Sequence, residues 1–229
     1  MTAQPLLETI ELSTSEPPEA AVIWMHGLGA DGNDFVPVVR ELDLSGCPGI
    51  RFVFPHAATM PVTINGGYVM RAWYDILGTD LVRREDEAGL RQSEARIAQL
   101  IDREIARGIP ASRIVLAGFS QGCAMTLQTG LRYPETLAGL LCLSGYLPLA
   151  TSAAAERHPA NQPTPIFLAH GRGDGIISID RAESSRDLLI NLGYTVEWHD
   201  YLIQHSVCEE EIVDIGHWLR RVLSNSRAQ

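Results

Sequence analysis

An α/β fold with a mostly parallel sheet and helices on both faces is what this sequence predicts, and three observations carry the prediction. Segments of strand and helix character alternate along the chain, the pattern of right-handed crossovers between parallel strands. Several strand-like runs, 21–25, 51–54 and 137–144, are almost continuously apolar, as strands covered on both faces must be. The run Ile114-Val115-Leu116-Ala117 leads into Gly118-Phe119-Ser120-Gln121-Gly122, and a helix-forming stretch over 123–133 begins at once. Strand, sharp turn and helix in that order lift a serine hydroxyl above a sheet, and glycines flank the serine because side chains there would strike the packed strand and helix.

A chain of 229 residues, 45% hydrophobic and 20% charged, suits one α/β domain spanning 1–229 with a single buried core. There is no internal repeat, low-complexity run or linker to divide it. Eighteen basic against 28 acidic residues give a net charge of -10 with no basic cluster, which argues against a nucleic-acid partner. The N-terminal stretch has no basic segment followed by a long apolar one, and no run reaches the roughly 18 apolar residues that span a bilayer, so a cytoplasmic location is expected. Cys47, Cys123, Cys142 and Cys208 are widely spaced, form no C-x-x-C pair for zinc, and read as reduced thiols.

In chain order, 6–12 alternates weakly and reads as an edge strand, and 21–25 as a buried strand ending in the glycine-rich loop His26-Gly27-Leu28-Gly29-Ala30-Asp31-Gly32. A helix is expected over 34–42, then a buried strand over 51–54. From 56 to 89 neither period holds, and an insertion of this kind is read both as a substrate-binding wall carrying Met70, Trp73, Tyr74, Ile76 and Leu77 and as a loop that those residues pin to the core. Helix periodicity resumes over 92–108, with Ile97, Leu100, Ile101 and Ile105 on one face. After the serine helix come a strand over 137–144, a small-residue surface connection over 150–164 and a strand over 165–170. A helix over 180–192, a strand over 196–201 and a helix over 206–223 complete the chain.

A serine hydroxyl needs a base within hydrogen-bond reach and an acid to orient that base. In an open parallel sheet the reacting groups gather at the carboxyl ends of the strands. His205 follows the last strand and precedes Ser206-x-x-Glu209, which has the form of a capping box, so it is the best base. His199 lies inside a strand, His217 inside the final helix on its apolar side, and His26 and His170 begin His-Gly turns that read as structural. Asp174, on the loop after the 165–170 strand, is favoured as the acid, with Asp180 as its rival. The order Ser120, Asp174, His205 is that of an α/β-hydrolase triad, and the amides of Gln121 and Leu28 are placed to hold an oxyanion.

Six stretches together resemble the phospholipase/carboxylesterase family: residues 24–35, Gly66-Gly67, Arg71-Ala72-Trp73-Tyr74-Asp75, Gly118-Phe119-Ser120-Gln121-Gly122, His170-Gly171 with Asp174, and His205-Ser206-Val207. The resemblance spans nearly the whole chain. It implies an α/β-hydrolase fold without a separate cap domain and a serine hydrolase without cofactor or metal, acting on small esters or acyl-thioesters. It implies the triad Ser120, Asp174 and His205, oxyanion donors at Leu28 and Gln121, and a wall beside the acyl group in the Trp73-Tyr74-Asp75 segment; Met70, from the reading of the irregular segment, joins Trp73 and Tyr74 as an expected substrate-binding residue. It leaves a homodimer open. Within the family this chain departs at Ile176-Ile177-Ser178, where a valine pair and proline are usual, and at Gln204, where glycine is usual. Both departures bear on loop geometry and substrate choice.

Overall fold

Residues 5–78 and 85–224 are described by the structure, a computed structural model. Residues 1–4, 225–229 and residues 79–84 of the irregular 56–89 segment lie outside the described residues. The strands are β1 (Thr9–Ser13), β2 (Ala20–Met25), β3 (Ile50–Pro55), β4 (Thr59–Val62), β5 (Tyr68–Arg71), β6 (Ile114–Phe119), β7 (Gly139–Leu143), β8 (Ile166–Gly171) and β9 (Val196–Tyr201). The α-helices are α1 (Glu87–Ala106), α2 (Gln121–Gly130), α3 (Ala150–Glu156), α4 (Ile179–Asn191) and α5 (Glu209–Ser224).

Seven strands form one sheet in the order β1-β3-β2-β6-β7-β8-β9, in which only the edge strand β1 runs antiparallel to its neighbour. Alternate residues of the buried strands feed two separate cores, because successive side chains leave opposite faces. Ile23, Leu116, Cys142 and Leu168 pack beneath α1, α2 and α4, whereas Trp24, Val115, Leu141 and Phe167 pack against α5 and the segment around Phe35 and Val39. In α5 the residues Ile212, Ile215, Trp218, Leu219 and Leu223 recur at helical spacing and are buried. Gly139 in β7 has no side chain because a Cβ there would stand 2.5 Å from the Trp218 ring. Among the described residues no separate cap domain covers the carboxyl ends of the strands, and no helix is long and apolar enough to cross a membrane.

Four expectations are corrected. The helix expected over 34–42 is a series of turns and a 3-10 segment, Pro37–Arg40. Pro37 has no amide to give the carbonyl of Asn33, which accepts instead from Val36 at 3.3 Å, a tighter turn. The irregular stretch after residue 56 holds a hairpin, β4 against β5, turned by Thr63–Asn65 and by Gly66 and Gly67 at φ 67° and 79°. The helix expected from 92 begins at Glu87, where the Asp86 side chain accepts from the Gly89 amide at 2.9 Å. The surface connection 150–164 contains α3 and buries Ala153, Asn161 and Thr164.

The capping box expected at Ser206 and Glu209 is not formed. Helix α5 starts at Glu209, its first turn is closed by the Ile212 amide on the Cys208 carbonyl at 3.0 Å, and Ser206 lies in the preceding loop. The third residue of this turn, Glu211, is 1% exposed, and burial pushes its carboxyl up from 4.5 to about 8, with Asp214 adding to the shift and the Cys208 backbone opposing it. The folded chain therefore keeps a proton that the unfolded chain has released, so stability falls as pH climbs from about 4.5 to about 8 and then levels off. Glu211→Gln should match the parent near pH 5 and exceed it near pH 9 by on the order of a few kcal/mol, read as a Tm gap that opens with pH. An equal Tm difference at both pH values would show that Glu211 is not protonated in the folded state.

Candidate active site

The crevice opens where the strand order reverses, between β2 and β6, with the loops after these two strands on either side of it. Ser120 occupies the turn between β6 and α2 at φ 56° and ψ -116°, a conformation that L residues adopt only under strain. The glycines beside it are required by close approach. A Cβ on Gly118 would run into the carbonyl of Gly122, and one on Gly122 into the carbonyl of Met25 on β2. Strain at Ser120 is thus imposed by a strand and a helix that both pass within backbone contact.

The other two groups of the sequence-derived triad are brought to this serine by a pair of loops joined through their backbones. After β8 the amides of Arg172 and Gly173 donate to the carbonyls of Tyr201 and Ile203 at 2.8 and 2.9 Å. A Cβ on Gly171 would collide with the carbonyls of Ile203 and Gln204, so glycine lets the loop after β9 lie against the loop after β8. This closeness sets the geometry. The Nδ1–H of His205 donates to Asp174 Oδ2 at 2.6 Å, and the Ser120 hydroxyl donates to His205 Nε2 at 3.0 Å. The remaining oxygen of Asp174, Oδ1, accepts from the amides of Ile176 and Ile177 at 2.8 and 2.9 Å. The Phe119 ring packs on the His205 imidazole with centroids 4.8 Å apart. The arrangement can move a proton from a hydroxyl to an imidazole while a buried carboxylate holds the ring.

Ser120 and His205 share a cavity of about 570 Å³, whose walls include Leu28, Tyr74, Gln121, Tyr146 and Ile176. The backbone amides of Leu28 and Gln121 donate to no protein acceptor among the described residues. The Gln121 side chain does the opposite, accepting from the Trp73 amide at 3.1 Å and donating to the Tyr74 carbonyl at 2.9 Å. It thereby straps the 73–74 segment to the start of α2.

Of the expected substrate wall Tyr74 and Ile76 line the cavity, and the Tyr74 hydroxyl is 2.9 Å from that of Tyr146. Trp73 is 3% exposed and turns its indole N–H to the His26 carbonyl at 2.9 Å, so it braces the wall from behind. Met70 sits on β5 with its sulfur beside Asn65 and outside the cavity lining. Helix and strand periods fail in this segment, so sequence alone could not tell which side chains face inward. Ile176, part of the departure tied to substrate choice, does line the cavity, whereas Tyr146 was missed because the loop that carries it has no periodic pattern.

His26, His199, His217 and the rival carboxylate Asp180 lie outside this contact chain. His26 donates from Nδ1 to the Gly27 carbonyl at 2.7 Å and accepts from the Ala57 amide at 3.1 Å, and burial lowers its pKa to about 4. His199 stacks on Phe167, and His217, expected on the apolar side of the final helix, is exposed. Asp180 is exposed in the first turn of α4 and takes no part in these contacts. Gln204 is exposed, lies outside the cavity lining and is absent from the non-glycine residues with positive φ, so the departure there neither strains the backbone nor borders the cavity. Cys123 and Cys142 are buried free thiols.

Residues 8–223 match the phospholipase/carboxylesterase family over their full span. The chain belongs to that family. Acyl-protein thioesterase 1 of Yarrowia lipolytica is 41% identical over 205 residues, covering 87% of this chain and 90% of its own. Among solved structures, SOBER1 of Arabidopsis thaliana superposes with a TM-score of 0.84 at 31% identity, covering 89% of this chain and 99% of its own. Acyl-protein thioesterase 2 of Zea mays gives 0.83 at 26%, covering 94% of this chain and 99% of its own. As a member of the phospholipase/carboxylesterase family, with an α/β-hydrolase fold, the chain is a hydrolase.

Proposed function

We propose that this enzyme hydrolyses carboxylic esters of short to medium acyl chains through an acyl-enzyme on Ser120. The Ser120 oxygen attacks the acyl carbonyl carbon as His205 Nε2 takes its proton, and Asp174 holds the imidazole in the Nδ1–H tautomer. Negative charge that gathers on the carbonyl oxygen meets the amides of Leu28 and Gln121. The tetrahedral species expels the alcohol, which receives the proton from His205, and leaves the acyl group on Ser120. Water then attacks that ester with His205 again as base, releasing the acid and restoring the serine. No step calls for a cofactor or a metal.

The single observation carrying this reading is the contact chain from Ser120 to His205 to Asp174, at 3.0 and 2.6 Å, opening into one cavity. A volume of about 570 Å³ supports a small acyl group, within the range of about 300 to 1,000 Å³ usual for small-molecule sites. On the same reading residues 1–229 form one catalytic domain that works in the cytoplasm.

A second reading, an acyl-protein thioesterase or lysophospholipase using the same residues, is favoured by the thioesterase names of relatives such as the Yarrowia lipolytica protein. The discriminating experiment is a series of p-nitrophenyl esters from acetate to palmitate assayed beside an S-acyl cysteine peptide, with fluorophosphonate labelling of the serine. The ester reading expects kcat/KM to peak at short to medium chains. A preference for the long-chain thioester would install the second reading, and an unlabelled, inactive protein would overturn both.

A further inference from the structure

His170, the penultimate residue of β8 and four residues before Asp174, is 1% exposed and has no part in the proton transfer described above. We propose that it is a positioning residue for the acid, donating from Nε2 to the Asp174 oxygen that also receives His205. This inference rests on the serine-hydrolase reading.

Nε2 of His170 lies 2.9 Å from the carbonyl of Ile177, and because a carbonyl only accepts, Nε2 carries the proton. Nδ1 is buried without a partner among the described residues, so a proton there would be an unpaired donor. The same Nε2 is 3.3 Å from Asp174 Oδ2, close enough for its N–H to be shared between the nearer carbonyl and the carboxylate.

Asp174 is thus enclosed by N–H groups on both sides. Oδ1 takes two backbone amides at 2.8 and 2.9 Å, and Oδ2 takes His205 at 2.6 Å with His170 behind it, while the carboxylate side chain has no exposure to solvent. His170 acts on this group twice. It reaches Oδ2 directly, and through the Ile177 carbonyl it steadies the turn whose amides hold Oδ1. Rotation of the carboxyl about its Cβ–Cγ bond would carry Oδ2 off the line to His205 Nδ1, and small misplacements of a catalytic group cost large factors in rate. A histidine that merely filled space would be replaceable by any side chain of its bulk.

The test compares His170→Leu, which keeps bulk and loses the donor, with His170→Gln, whose terminal amide keeps a donor at similar reach. His170→Leu is expected to lower kcat by roughly tenfold to a hundredfold with KM within about threefold, and His170→Gln to remain within about threefold of the parent. Undiminished kcat in His170→Leu, or an equal loss in His170→Gln, would overturn the proposal. The unsubstituted protein gives a readout that needs no variant to fold: two-bond ¹⁵N–¹H correlations should show His170 protonated at Nε2, and a proton at Nδ1 alone would refute it. Fluorophosphonate labelling keeps the two levels apart. If Ser120 labels and Ser120→Ala is inactive while His170→Leu works at the parental rate, only the role of His170 falls; if Ser120→Ala stays active, the serine reading falls with it.

Discussion

Ser120→Ala is expected to leave a folded protein whose ester hydrolysis has dropped by about 10⁴ to 10⁶, on the scale of triad knockouts in other serine hydrolases. The fold should survive because the change removes one oxygen at the rim of a cavity, while the contacts that hold the turn belong to Gly118, Gly122 and Met25. His205→Ala should cost about as much, since a serine without its base is a weak nucleophile near neutral pH. The double variant should be little worse than either single one, because groups that act as a unit lose their effect together. Steady-state hydrolysis with circular dichroism as a control for folding reads all three. Activity retained in Ser120→Ala would remove Ser120 from the mechanism, and losses that multiply in the double variant would show that Ser120 and His205 do not act as a unit.

The next largest effect is expected at the acid. Asp174→Asn should lower kcat by about 10⁴, because an amide at this position can present its N–H₂ to His205 and favour the wrong imidazole tautomer. The same change leaves an amide nitrogen or oxygen against the Ile176 and Ile177 amides, which currently donate to Oδ1 at 2.8 and 2.9 Å, so some loss of stability should accompany it. Asp180→Asn is the matched control. Asp180 is exposed in the first turn of α4, where a negative charge meets the positive end of the helix, so its loss should cost only a few tenths of a kcal/mol and leave the rate nearly unchanged. If the ranking of the two variants were reversed, the acid would be Asp180.

These two expectations came from different depths of the sequence. Ser120 was legible because its signal is local: an apolar strand, a glycine on each side of the serine and a helix behind it, all within a dozen residues. Asp174 and Asp180 were harder to separate, since both follow β8 and either could face the site. The structure separates them by burial, with Asp174 enclosed and Asp180 in solvent. His170 read as a structural His-Gly turn, and its nearness to Asp174 Oδ2 depends on how the Ile176-Ile177 turn folds back, which no spacing encodes.

By itself the sequence determined the strands of the sheet, the strained turn at Ser120 and the three side chains that meet there. Those features follow from short-range rules: burial demands apolar runs, close backbone approach demands glycine, and catalysis in a parallel sheet demands strand ends. Tertiary structure alone decided which residues face the cavity. Tyr74 lines it and Trp73, its neighbour, turns away, because the Gln121 side chain and the His26 carbonyl hold that strap in one orientation. It likewise replaced the helix expected around Pro37 with turns that still bury Phe35 and Val39 under the sheet, and started α5 three residues late. In each case local preference was weak, a proline, a loop or a competing cap, and contacts from distant parts of the chain outweighed it.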